Sequence, residues 1–373
     1  MTFSFVVEAE VPGTPIRAGR LQTPHGEVKT PAFMPVGTQG TVKGLRPEEV
    51  RAAGAQMILA NAYHLYLRPG SRRVKTLGGL HRFMHWEHPI LTDSGGFQLF
   101  SLVSTMSIGD EGVEFRSHVD GSRHFWRPED SIAVQEDLGA DIIMAFDQPV
   151  ALPAPREQVE EALERTLSWA RRSLEAKTRS DQALFGIVQG GLEEDLRRQG
   201  ARELRKMPFA GYAVGGLSVG EGEEEMYRVL EWTVPELPWE KPRYLMGVGL
   251  PRNLVEGVRR GIDLFDCVLP TRMGRTGTAL LPGGRLNLRN AAFAEDPRPI
   301  QEDCDCYTCR HFSRGYLRHL VLAREILGLG LVSLHNVRFL IRLMEAMRQA
   351  ILQGEFWPWL EKFYEEDGRE VEP

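Results

Sequence analysis

With 373 residues, 42% hydrophobic and 26% charged, the sequence has the makeup of a folded, enzyme-sized protein, which excludes a disordered or fibrous chain. A net charge of -6 excludes a protein that coats nucleic acid nonspecifically through many phosphate contacts. The first residues lack the basic start and apolar run of a secretory signal, and no stretch approaches the roughly 20 consecutive apolar residues of a spanning helix, so a cytoplasmic location without membrane contact is expected.

Eight short apolar, β-rich runs follow one another along the chain, at residues 33–37, 57–63, 89–93, 141–147, 184–189, 212–217, 244–249 and 264–269. Helical patterns at 128–138, 155–177, 192–206, 223–233 and 251–260 alternate with the later runs. Within 155–177, Val159, Leu163, Leu167, Ala170 and Leu174 fall on one face, and Pro155 suits a first turn. Such alternation predicts parallel βα units, and eight strands close a TIM barrel. The expected fold is therefore α/β, a (βα)8 barrel over residues 1–297. Residues 112–126 predict a β-hairpin insertion with Asp120-Gly121 as a two-residue turn. From about Arg298 the alternation stops, and helical patterns at 316–327 and 336–352 predict a helical subdomain over 298–373.

Polar residues end several of the apolar runs: Asp93, Asp147, Gln189 and Asp266. In a βα barrel the carboxyl ends of the strands form the catalytic rim. Any one of these residues alone reads equally well as a helix cap, but that reading weakens when all four must be caps. Two carboxylates facing across a pocket can divide the work at an anomeric carbon, one attacking and the other moving a proton. Asp93 runs into Ser94-Gly95-Gly96-Phe97-Gln98, a small-residue turn that lets a planar ligand approach the backbone beside an aromatic ring, and Gly215-Gly216-Leu217 offers a second such segment.

Cys304, Cys306 and Cys309 place three thiolates within six residues, which with one histidine match a closed tetrahedral zinc site of structural type. His311, His319 and His335 are candidates for the fourth ligand, and spacing leaves all three open. His335 reads as preceding a new helix, where its side chain could turn back. Cys267 reads as core. Between Cys267 and Ala294 stand Arg272, Arg275, Arg285 and Arg289 with no acidic residue, and Arg272 and Arg275 lie just beyond Asp266, placed to clamp phosphates beside an extruded nucleotide.

Taken together, Thr-Asp-Ser-Gly-Gly-Phe-Gln, Val-Gly-Gly-Leu-Ser-Val-Gly-Glu, Tyr-Leu-Met-Gly-Val-Gly, Phe-Asp-Cys-Val-Leu-Pro-Thr-Arg and the cysteine cluster closely resemble the bacterial tRNA-guanine transglycosylases. The resemblance implies exchange of the wobble guanine of tRNAs with GUN anticodons for 7-aminomethyl-7-deazaguanine, in queuosine biosynthesis. It implies Asp266 as nucleophile, Asp93 as general acid/base, and Ser94, Gly95, Gly96, Phe97, Asp147, Gln189, Gly216, Leu217 and Met246 around the base. It assigns the anticodon loop to Gly247, Val248, Gly249, Leu250, Pro251, Arg252 and Asn253 together with Thr271, Arg272, Met273, Gly274 and Arg275. It makes His335 the fourth ligand of one zinc ion, and Tyr316, His319 and their helix a homodimer face. Phe97 stands where relatives commonly carry tyrosine and Pro149 where cysteine is common, so both alter the wall of the base pocket. A non-catalytic partner subunit would lack the two aspartates, and an archaeal-type enzyme would carry an added C-terminal RNA-binding domain for which this sequence leaves no room.

Overall fold

The computed structural model describes residues 3–102, 106–218 and 220–367. Val219 of the second glycine motif and residues 368–373 of the expected helical subdomain lie outside them. The apolar runs become short strands that are almost entirely buried: β1 Ala32–Pro35, β2 Ile58–Ala60, β3 Ile90–Thr92, β4 Ile142–Met144, β5 Ala183–Val188, β6 Gly211–Val214, β7 Arg243–Leu245 and β8 Leu264–Cys267. All pair in parallel in the order β1-β8-β7-β6-β5-β4-β3-β2. A bridge between Val36 and Leu59 joins the two ends of this sheet, with the Gly37 N–H donating to the Leu59 carbonyl at 2.6 Å. Side chains such as Met34, Leu59, Leu91, Met144, Phe185 and Tyr244 fill the interior, so the barrel is a packed core rather than a pore. The last residues of each run leave the sheet and build the loops of the rim.

A three-stranded antiparallel sheet, Ser4–Glu10, Arg17–Thr23 and Gly26–Thr30, precedes the barrel and had no counterpart in the expected βα pattern. Its Leu21 and Val28 join the barrel interior, and Phe3 meets Phe185 edge to face at 5.8 Å. Arg17 pairs with Asp263 just before β8 at 2.6 Å, and His25 bonds Asp141 just before β4 at 2.8 Å. The sheet therefore closes the end of the barrel at which the strands begin.

The expected hairpin is part of a three-stranded meander, Met106–Gly109, Gly112–Arg116 and Arg123–Trp126. Its turn differs from the expected two-residue form. The Ser117 N–H donates to the Ser122 carbonyl at 2.8 Å, so a four-residue loop holds Asp120 and Gly121, with Gly121 at φ +74°.

Beyond β8 come the helix Leu269–Arg275, a ribbon of Thr278–Leu281 and Gly284–Asn287, and the helices Tyr307–His311, Arg314–Ala323, Ile326–Gln353 and Phe356–Asp367. The long helix begins at Ile326, so His335 lies within it instead of ahead of a new helix. Its 28 residues include a stretch of mean hydropathy 1.4, long and apolar enough by composition to cross a membrane, yet 56% of that stretch is buried inside the protein. Leu340, Met344 and Met347 pack into the core shared with β7 and β8, and Arg348 donates to the Gly19 and Thr30 carbonyls at 2.8 and 2.7 Å. Asn336 holds Pro270 and Thr278 through their carbonyls at 3.0 and 2.9 Å, which fixes the segment after β8 to this helix.

Candidate active site and metal cluster

The strand ends bring the predicted residues together. Asp93 follows β3 and is buried, and its carboxylate accepts from the side chain of Asn61 after β2, from the Ala62 N–H at 2.8 Å and from Gln98 Nε2 at 2.7 Å. Burial pushes its carboxyl up to about 6, opposed by those three donors, and the nearby Asp266 charge adds to the rise. Asp93 is thus able to hold or release a proton near neutral pH.

Asp266 is the third residue of β8 and is also buried. Its Oδ1 accepts from the Tyr244 phenol of β7 at 2.5 Å and from the Gly247 N–H at 2.8 Å. Burial raises Asp266 above the ordinary carboxylate value while the two donors pull it back. With both donors on Oδ1, the other carboxylate oxygen is the one left to react.

Asp147 and Gln189, after β4 and β5, form a bonded pair: Gln189 Nε2 donates to Asp147 Oδ2 at 2.7 Å, and the Ser94 hydroxyl donates to Oδ1 at 3.1 Å. Burial pushes the Asp147 carboxyl up to about 6. Gly96 is required here, because a Cβ would lie 2.7 Å from the Asp147 carbonyl oxygen. Gly95 lies beside it at φ +85°. Phe97 is 46% exposed at the mouth, Leu217 is buried and Met246 is half-buried against the barrel interior. Pro149 is buried in the chain beyond Asp147. Sequence reasoning missed Asn61, Gln98 and Tyr244, although Asn61, a polar residue inside the apolar run 57–63, could have been found as Asp266 was within 264–269.

Of the residues assigned to RNA by resemblance, Arg272 is exposed and Arg275 half-buried, with Arg275 Nε on the Thr271 carbonyl at 3.2 Å. Thr271, Met273 and Gly274 are buried, and a Cβ on Gly274 would collide with Ser333, so these three hold the arginines in place. Gly247 is exposed, with its N–H on Asp266. Leu250, Pro251 and Arg252 are half-buried, while Val248, Gly249 and Asn253 are buried. Asn253 accepts from the Tyr227 hydroxyl at 2.7 Å, and Arg252 lies over the Tyr364 ring. Cys267 is held as a neutral thiol, because burial pushes it up to about 11.

Cys304, Cys306, Cys309 and His335 converge in one buried cluster. His335 Nδ1 lies 3.6, 3.8 and 3.3 Å from the three sulfurs. A tetrahedral zinc ion with ordinary bond lengths would hold sulfur and nitrogen about 3.6 Å apart. His335 Nε2 donates to the Leu280 carbonyl at 2.8 Å, which fixes the tautomer and leaves Nδ1 a free lone pair aimed at the sulfurs. The cluster fits a structural zinc site, with His335 as the histidine; His311 and His319 are exposed and outside it. A second group, His25, His81 and Asp141, sits at the opposite end of the barrel. There the two rings stack at 3.5 Å, and His25 Nδ1 and His81 Nε2 each bond one oxygen of Asp141, at 2.8 and 3.1 Å.

The chain's likeness to known proteins agrees with this geometry. A family model described as Queuine tRNA-ribosyltransferase matches residues 13–369. Proteins named queuine tRNA-ribosyltransferase from Moorella thermoacetica and Pelotomaculum thermopropionicum are each 58% identical to it, over 97% of this chain and 97% and 98% of theirs. The protein of that name from Thermus thermophilus is 57% identical over 100% of this chain and 96% of its own. A match of this extent, over a barrel whose rim carries the paired aspartates, shows that the chain belongs to the queuine tRNA-ribosyltransferase family.

Proposed function

We propose that this protein, a tRNA-guanine transglycosylase, exchanges the wobble guanine of tRNAs with GUN anticodons for 7-aminomethyl-7-deazaguanine by two displacements at one carbon. The carrying observation is that Asp266 is buried at the rim with Oδ1 held by Tyr244 and Gly247. The free oxygen of Asp266 attacks C1′ of the wobble ribose as the bond from C1′ to N9 breaks, and Asp93 gives the departing guanine its proton. The incoming base then returns its N9 proton to Asp93 and attacks C1′, expelling Asp266. Two inversions restore the original configuration, and the covalent ester keeps the RNA in place between them. An anticodon nucleotide is already unpaired, which lowers the cost of turning its base into the pocket.

Asp147, Gln189 and the Gly216 N–H recognise the edge of the base, Phe97 stacks at the mouth, and Leu217 and Met246 line the pocket. Arg272 and Arg275 meet the phosphates of the anticodon loop. One structural zinc ion ties Cys304, Cys306, Cys309 and His335 together and supplies folding energy without entering the reaction. Residues 1–297 form the catalytic barrel domain and 298–373 a zinc-binding helical subdomain packed on it. The protein works in the cytoplasm, where its tRNA substrate resides, away from any membrane. A homodimer face around Tyr316 and His319 is supported by exposed apolar side chains nearby, with Ile326 80% exposed and Leu322 and Leu327 also open. Sedimentation of a Leu322→Lys, Ile326→Lys double variant tests that face, and an unchanged mass would overturn it. A non-catalytic partner subunit is disfavoured because both aspartates are present with donors in place.

Incorporation of labelled guanine into unmodified tRNA bearing a wobble guanine tests the mechanism, with wild type, Asp266→Ala and Asp93→Ala compared. Both variants are expected to lose exchange, and normal exchange by Asp266→Ala would sink the assignment.

A further inference from the structure

Arg197 lies in the helix Glu194–Leu204 with its guanidinium fully buried beneath the loops after β5 and β6. Its Nε donates to the Gly191 carbonyl at 2.7 Å, and its Nη1 donates to the Val188 and Gly215 carbonyls at 3.0 and 2.8 Å. These last two carbonyls immediately precede Gln189 and Gly216, both of which face the base in the reading above. A trans peptide is planar, so its C=O and the following N–H point in opposite directions. Drawing the Gly215 carbonyl down onto Arg197 therefore turns the Gly216 N–H the other way, up toward the pocket.

The neighbouring space holds the peptide in that orientation. Gly216 has φ +67°, and a Cβ on it would collide with Gln189 Oε1 and lie 3.5 Å from Arg197 Nη2. Among the described residues, Nη2 has no hydrogen-bond partner. Burial pushes the guanidinium down to about 9, offset in part by the Glu221 carboxylate. A buried cation that spends its donors on loop carbonyls is costly for stability alone, and its bonds converge on the two residues that meet the base.

We propose that Arg197 is a positioning residue for base recognition: by anchoring the Gly215 carbonyl it presents the Gly216 N–H as the donor to the 6-oxo group of a purine-like base. The inference rests on the proposed base pocket, and the test separates the two. Guanine exchange is measured for wild type, Arg197→Met, Arg197→Lys and Asp147→Asn, with KM determined separately for guanine and for tRNA. Inhibition by 6-thioguanine, which keeps the ring N–H groups but carries sulfur in place of the carbonyl oxygen, is measured alongside.

In Arg197→Met the guanine KM should rise about tenfold, as for one lost hydrogen bond. The 6-thioguanine inhibition constant should rise by less than about threefold, since sulfur accepts weakly and has less to lose. Arg197→Lys should recover part of the guanine KM. An unchanged guanine KM, or equal weakening for guanine and 6-thioguanine, would overturn the inference. If Arg197→Met does not fold, Arg197→Lys carries the test on the same two ratios. An unchanged guanine KM in Asp147→Asn would instead mean that the base pocket itself is misread.

Discussion

The Tyr244 phenol donates to Oδ1 of Asp266 at 2.5 Å, with both groups buried in the barrel. Burial raises Asp266 and this hydrogen bond lowers it, so Tyr244→Phe should raise the carboxylate further. A hydrogen bond to a charged group is worth about 1.5–3 kcal/mol, or roughly one to two pH units. The acid limb of kcat/KM should therefore move to higher pH by about one unit, with a loss of roughly tenfold on the acid side of the wild-type limb that shrinks at higher pH. A profile of the same shape as wild type would mean that Tyr244 only packs.

Asp147 gives a stability prediction of opposite slope to the usual acid titration. Its folded value of about 6 lies above the ordinary 3.8, so its stabilising contribution is complete below about pH 4 and is lost as pH rises through 6. Asp147→Asn should melt with the wild type near pH 4 and above it beyond pH 6.5, by about 1–3 kcal/mol. A gain equal at both pH values would place the effect in packing.

Removing one ligand should empty the metal cluster. Cys306→Ala is expected to lower bound zinc, measured by atomic absorption, from one per chain to a small residue, and to lower the melting temperature, because structural zinc contributes folding energy directly. Unchanged zinc content would refute the ligand set.

Arg272 is exposed on the helix Leu269–Arg275, which also carries Thr271 and Gly274. Arg272→Gln should weaken tRNA binding and flatten the plot of log affinity against log salt by about one unit, the effect of one lost phosphate contact. Its KM for guanine should stay the same. An unaltered salt slope would remove Arg272 from the RNA surface.

The rim was readable because Asp93, Asp147, Gln189 and Asp266 each end an apolar run, and a barrel turns that one-dimensional position into a shared place. Tyr244 was not readable, since a tyrosine inside an apolar strand looks like core until its hydroxyl is seen to reach β8. The placement of His335 ahead of a helix failed for another reason. Gly328 and Gly330 look like breaks, but a Cβ on Gly330 would lie 2.8 Å from the Gly44 carbonyl oxygen, so close approach, and not a turn, requires a glycine there. The hairpin turn was mistaken because Ser117 bonds the backbone of Val119 and stabilises a longer loop, a local competition that Asp120-Gly121 alone does not reveal.

The barrel interior is packed from its foot, where Leu21 and Val28 of the amino-terminal sheet join it, up through Met144 and Tyr244, so the base pocket of the proposed mechanism opens at the rim. On that mechanism guanine leaves, and its replacement arrives, through the rim while the RNA stays tethered to Asp266. Exchange is then a strict queue, with no second base in the chamber until the first has gone, and a lingering guanine reverses the reaction simply by staying.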